Sequence, residues 1–308
     1  MKIPIMENKL SDKNINNRNR KGKGVSHSKI ILMGEHSVVY GYPAIAIPLK
    51  NIQMECIVER SRVPFFHNEK DTLSTAVHTA LKYLNRKNEN IKYKVISDIP
   101  PKRGMGSSAA VSIAAIRGVL DYFNRKVDSI TLEKLVNEAE IIAHNTPSGL
   151  DAKTCLSDSA IKFIKNKGFK NLDMNLGVYL LIADTGIHGH TRDAIMNIKN
   201  MGNKALPMLK KLGKLTEETE KFIEKKDIVN IGKNMIFAHE ELKKLEVSIE
   251  KSDILVKTAI DEGAYGAKMS GGGLGGCIIA LMESREKAEM TAKKLMEKGA
   301  VNIWIEAL

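Results

Sequence analysis

The chain has 308 residues, 43% of them hydrophobic and 27% charged, with a formal net charge of +12, which fits a folded globular protein and excludes a fibrous or wholly disordered chain. No apolar run approaches the roughly 18 residues of a membrane span, and no apolar segment backs the basic N-terminus, so a cytoplasmic protein without a membrane partner is expected. Residues 1–28 carry seven Lys or Arg against Glu7 and Asp12, so +5 of the charge sits in that stretch; the rest is spread over 280 residues and calls for no nucleic acid partner.

Residues 1–25 hold too little apolar content to fold and read as a disordered basic tail; a start of the folded chain near Ser26 is the other reading of the same stretch. Residues 29–40 and 44–49 are aliphatic strand-like runs separated by Gly41, Tyr42 and Pro43, and 52–60 alternates as a strand. Residues 72–84 repeat apolar positions at helical spacing, and 91–97 is strand-like. After Pro100 and Pro101 comes a glycine turn, then buried-type helices over 108–123 and 131–144 and a third starting at Ser148. A strand over 179–184 leads into a largely helical stretch, 191–239. The remainder alternates a helix (254–262), a strand ending at Met269, a glycine run, a strand (277–282), a helix (284–298) and a strand (301–305). This order predicts an α+β architecture with a boundary near 175–200. Cys56, Cys155 and Cys277 are far apart, lack metal-ligand spacing and read as reduced structural thiols.

Four segments carry chemistry. The first is PPKRGMGSSAA, residues 100–110. Glycines let a backbone approach an anion closely, and the free N–H groups of a helix start, with about half an elementary charge of dipole, favour phosphate. A tight turn with a serine cap would have the same pattern. The second, KIILMGEHSVVYGYPA over 29–44, places Glu35 and His36 within an apolar run, where ionisable groups are costly without partners. In the third, EIIAHNTPSGLD over 140–151, Ser148 and Asp151 also fit a capping box, and Glu140 lies near a helix end where its charge opposes the dipole; either a nearby cation or solvent accounts for it. The fourth, KMSGGGLGGC over 268–277, is a glycine run held between two strands. His188 and His190 alternate beside a strand and read as loop residues, with no carboxylate and cysteine cluster to make a zinc site.

In this order and at these separations the four segments resemble the motifs of the GHMP kinase superfamily (galactokinase, homoserine kinase, mevalonate kinase and phosphomevalonate kinase), and the 29–44 segment is similar to that of its mevalonate kinase branch. Met105 stands where the family's phosphate motif usually has Leu, and His27-Ser28 where Pro-Gly usually precedes the lysine. The resemblance implies a two-domain fold, a ribosomal-protein-S5-like N-terminal domain over 26–180 and a ferredoxin-like C-terminal domain over 181–308, with the active site between them. It further implies ATP and mevalonate as substrates, Mg2+ as cofactor and a homodimer.

Carried onto this chain, the resemblance assigns ATP phosphates to Pro101, Lys102, Arg103, Gly104, Met105, Gly106, Ser107, Ser108, Ala109 and Ala110. It assigns Mg2+ to Ser108 and Glu140, and makes Asp151 the catalytic base with Lys29 beside it. The acceptor would lie against Glu35, His36 and Thr191, with His36 as a hydrogen-bond donor, and the turn of Ser270, Gly271, Gly272 and Gly273 would close near the phosphates. Other kinases of the superfamily, acting on phosphomevalonate, another hydroxyl of mevalonate or a sugar, and a binding-only protein of the same fold are the competing readings.

Overall fold

The computed structural model of the protein describes residues 20–144 and 149–308. Its first antiparallel sheet is organised by one long strand, β2 (Ala44–Arg60). Along one edge β2 pairs with β1 (Lys21–Met33), with register shifts at His27/Ser28 and Ile31/Met33. Its other edge is shared between β3 (Ile91–Ser97), which pairs with Met54 to Arg60, and β4 (Ala160–Ile164), which pairs with Ala44 to Ala46. A hairpin adds β5 (Gly168–Leu172) to β4. Helices α1 (Thr72–Tyr83), α2 (Ser107–Tyr122) and α3 (Ser129–His144) pack together over this sheet, and α2 lies directly on β1 and β2.

Here the structure departs from the expected tail. Residues 1–19 lie outside the described residues, but 21–25 form the start of β1. The reason is visible in its pattern: Lys21 and Lys23 face out while Gly22 and Gly24 face in. An added Cβ on Gly24 would meet the Ala114 carbonyl at 2.0 Å and the Gly118 nitrogen at 2.3 Å. The strand buries backbone against a helix of small residues, so it lacks the apolar alternation that announces a strand. Residues 34–40 differ as well. β1 stops at Met33, Gly34 turns the chain with φ +96°, and Ser37–Tyr40 is a 3-10 turn. β4 and β5 have no counterpart among the expected strands; they are short, and β5 is exposed except at Leu172.

The second sheet, in the order β7 (Gly266–Ser270), β8 (Cys277–Met282), β6 (Tyr179–Asp184), β9 (Asn302–Ala307), is antiparallel throughout. The long helical stretch divides into α5 (Thr191–Met201), α6 (Leu206–Glu224) and α7 (Ile228–Lys244). Strand periodicity sends the residues of β6 to two cores. Leu181 and Ala183 pack with α8 (Glu250–Asp261) and α9 (Arg285–Glu297), while Leu180 and Ile182 join a core that runs on into the first sheet. The architecture is the α+β one expected, and its two halves share a hydrophobic core.

Because Gly24 touches helix backbone, Gly24→Ala should destabilise the protein by at least about 3 kcal/mol, the cost of overpacking with nothing flexible to yield. Lys21→Ala, which breaks an exposed ion pair with Glu59, should cost under about 1 kcal/mol. Urea midpoints of the two variants check both.

Candidate active site

The site is assembled where β1 ends against the turn before α2. The Lys29 amide donates to the Met105 carbonyl at 3.1 Å, and the Ser28 hydroxyl donates to the same oxygen at 2.7 Å. This pins the strand to the turn. The Lys29 ammonium then donates to the Gly104 carbonyl at 3.2 Å and pairs with Asp151 Oδ1 at 2.8 Å. The lysine side chain is 3% exposed and the aspartate 46%, so a buried cation presents a carboxylate that faces open space. Gly106, with φ +71°, is needed here: a Cβ would fall 2.7 Å from Lys29 Cγ.

Gly106 is also the N-cap of α2, with no side-chain cap and no acidic residue in the first turn. The helix start thus has neither a side-chain cap nor an acidic residue of its own in the first turn, which suits it to holding a polyphosphate. Asp151 sits in the first turn of α4 (Leu150–Leu156), whose dipole favours a carboxylate there. Ser148, the expected cap and start of this helix, lies outside the described residues.

On α3, Glu140 Oε1 accepts hydrogen bonds from Ser108 Oγ at 3.1 Å and Ser112 Oγ at 2.9 Å. Ser112 was not among the expected residues, although its i, i+4 spacing from Ser108 places both hydroxyls on one helix face. A carboxylate 6% exposed beside hydroxyls is a hard-oxygen donor set that suits Mg2+, which takes one or two carboxylates and relies on substrate phosphates for the rest. Among the described residues no group of three or more His, Cys, Asp or Glu could hold a metal by itself.

The residues expected at the acceptor end lie beside the glycine loop. His36 has a strained backbone, φ +59° and ψ −44°, and its buried Nε2 has no partner among the described residues. Burial pulls its pKa down to about 4, and the Gly272 carbonyl faces its ring. The ring is therefore neutral at pH 7. Glu35 is fully buried and ion-paired with Lys268, and its Oε2 has no partner among the described residues. Thr191 starts α5 and touches Gly272, where an added Cβ would overlap its hydroxyl.

The glycine loop closes against the phosphate turn backbone to backbone. A Cβ on Gly271 (φ +88°) would lie 2.9 Å from Gly104 Cα. Ser270 Oγ donates to the Ile31 carbonyl at 2.7 Å and accepts from the Ile31 amide at 3.2 Å. Met105, Ala109 and Ala110 are core residues that seat the turn, while Pro101 and Lys102 are exposed and Ser107 is half-buried. Arg103, expected to add charge to the phosphate turn, pairs its guanidinium with buried Asp184 at 2.7 Å and donates to the Gly186 carbonyl at 3.1 Å. A charge buried on one side finds its counter-ion in the second half of the chain.

Comparison with known proteins places the chain in a family. The GHMP kinases N terminal domain model matches residues 73–158 and the GHMP kinases C terminal model matches 219–301. A mevalonate kinase of Pyrococcus furiosus is 30% identical over 306 residues, covering 87% of this chain and 91% of its own. The crystal structure of a mevalonate kinase from Staphylococcus aureus is 30% identical, with TM-score 0.76 and coverage of 94% of this chain and 99% of its own. The fold is also that of the L. major mevalonate kinase crystallised with R-mevalonate, at TM-score 0.83 and 24% identity, covering 94% of this chain and 96% of its own.

The buried imidazoles make stability depend on pH. Burial holds His36 at about 4 and also holds His239 well below the ordinary 6.5. Below about pH 6.5 the unfolded chain takes up protons that the folded one refuses, so stability should fall from pH 6.5 toward pH 4. Melting temperature across that range should drop, and a His36→Asn/His239→Asn variant should show a shallower drop.

Proposed function

The chain belongs to the GHMP kinase family of ATP-dependent small-molecule kinases, and on that premise we propose that it transfers the γ-phosphoryl group of ATP to the 5-hydroxyl of mevalonate, yielding ADP and 5-phosphomevalonate for isoprenoid precursor biosynthesis. The observation that carries this reading is the Lys29–Asp151 pair, 2.8 Å apart, at the mouth of an uncapped helix N-terminus. Relatives named mevalonate kinase that match most of the chain support the choice of acceptor.

Phosphoryl transfer needs placement and neutralisation of charge more than covalent help. The turn from Gly104 to Gly106 and the first turn of α2 hold the phosphates of ATP. Ser108 and Glu140 would hold Mg2+, which would neutralise phosphate charge. Asp151 accepts the proton of the attacking hydroxyl, a role generally worth about 10² to 10⁴ in rate. Lys29, buried and held by the Gly104 carbonyl, stabilises the alkoxide as it forms.

At the other end, the Glu35 Oε2 acceptor receives a hydroxyl of the substrate, with the neutral His36 ring and the Thr191 hydroxyl orienting the rest of the acceptor. A homodimer and a cytoplasmic location belong to the same reading.

The test is Mg-dependent ADP release with mevalonate, phosphomevalonate, homoserine and galactose offered separately. Turnover is expected with mevalonate alone, and Asp151→Asn should lose at least about 100-fold in kcat while still binding ATP. Turnover on a different acceptor would move the protein elsewhere in the family, and ATP binding without turnover on any acceptor would make it a binding protein.

A further inference from the structure

Lys268 is the one residue of this region whose burial the proposed reaction leaves unused. It lies on β7, fully buried, with its ammonium donating to Glu35 Oε1 and to the Met269 carbonyl at 2.7 Å. Burial lowers its pKa, and the Glu35 carboxylate works against that shift. Taking two charges out of water costs several kcal/mol per ion, and an apolar pair of the same size would usually be as stable. Stability is therefore a poor reason for this pair. A function is indicated by what it leaves, since the second oxygen of Glu35 and the Nε2 of its neighbour His36 are both buried and without a partner among the described residues.

The strand that carries Lys268 is held on two sides. Side chains two apart on a strand share a face. Lys268 grips Glu35 while Ser270, on the same face, exchanges two hydrogen bonds with Ile31. β7 is an edge strand, and the Met269 amide on its open side donates to His239 Nδ1 at 3.3 Å. That bond places the proton of neutral His239 on Nε2, which faces Asp253 Oδ1 at 3.2 Å. β7 thus runs rigidly from Lys268 into the loop whose Gly272 carbonyl faces His36.

We propose that Lys268 is a positioning residue for the acceptor end of the site. It acts through Glu35, fixing one carboxylate oxygen so that the other stays aimed at the acceptor hydroxyl. It also couples that aim to the placement of the glycine loop. It touches neither substrate. The inference rests on the acceptor reading given above, and the wild-type acceptor panel decides that reading independently.

The experiment is a double-mutant cycle in steady-state kinetics with wild type, Lys268→Met, Glu35→Gln and the double variant, each first shown by melting temperature to be folded at the assay temperature. Lys268→Met should raise KM for mevalonate at least about tenfold, the usual value of a hydrogen bond to a charged group. Its KM for ATP should stay within about twofold of wild type, and in the Glu35→Gln background the same substitution should change mevalonate KM by less than about twofold. Three results would overturn the proposal: KM for ATP rising in step with that for mevalonate, an equally large effect of Lys268→Met with Glu35 already replaced, or no change in either KM. Should Lys268→Met not fold, Lys268→Gln carries the cycle with the same outcomes. Should the panel show a different acceptor, the cycle is run with that compound.

Discussion

The site depends on one backbone oxygen. The Met105 carbonyl receives both the Lys29 amide and the Ser28 hydroxyl, and so fixes the end of a long strand against the turn that starts α2. Everything polar at the centre is measured from that point. The Lys29 ammonium reaches Gly104 and Asp151 because its backbone is held, and Gly106 leaves the space through which its side chain passes. The paired cation and carboxylate then stand beside a helix end that has no side-chain cap.

A second constraint is that two halves with a shared apolar core must still leave a polar cleft. They meet at the cleft through backbone and ion pairs, with little side-chain bulk between them. Gly104 and Gly271 approach so closely that a Cβ on Gly271 would fall 2.9 Å from Gly104 Cα, Arg103 crosses to Asp184, and Glu35 crosses to Lys268. On the proposed reading each of these groups also belongs to, or borders, a loop of the active site. Joining the halves and shaping the site are consequently one task, which explains why charges are buried here at a cost that an apolar contact would avoid.

Electrostatics separates the two ends of the site. At the phosphate end, a helix start without a side-chain cap and a buried lysine favour anions. At the other end stand a buried carboxylate and a neutral imidazole. On the proposed reading, this difference orients the substrate with its reacting hydroxyl toward Asp151.

Much of this was legible from residue order alone. The apolar periodicity of α1, α2 and α3, the Cys277–Met282 strand and the glycine segments announced the α+β order, and the four motifs named the family and its polar residues. Local pattern carries that much because helices and strands that bury one face must repeat at their own period. Where burial was by backbone the pattern failed: β1 begins at Lys21 because Gly22 and Gly24 pack on α2, and glycine leaves no hydrophobic mark. Partners were equally out of reach. That Arg103 turns to Asp184, that Ser112 joins Ser108 on Glu140, and that Glu35 meets Lys268, 233 residues away, follow only from how two sheets and their helices come together. A side chain's chemistry is set by its type, which sequence determines; its protonation, its partner and the atom it leaves free are set by burial and distance, which only the tertiary structure decides.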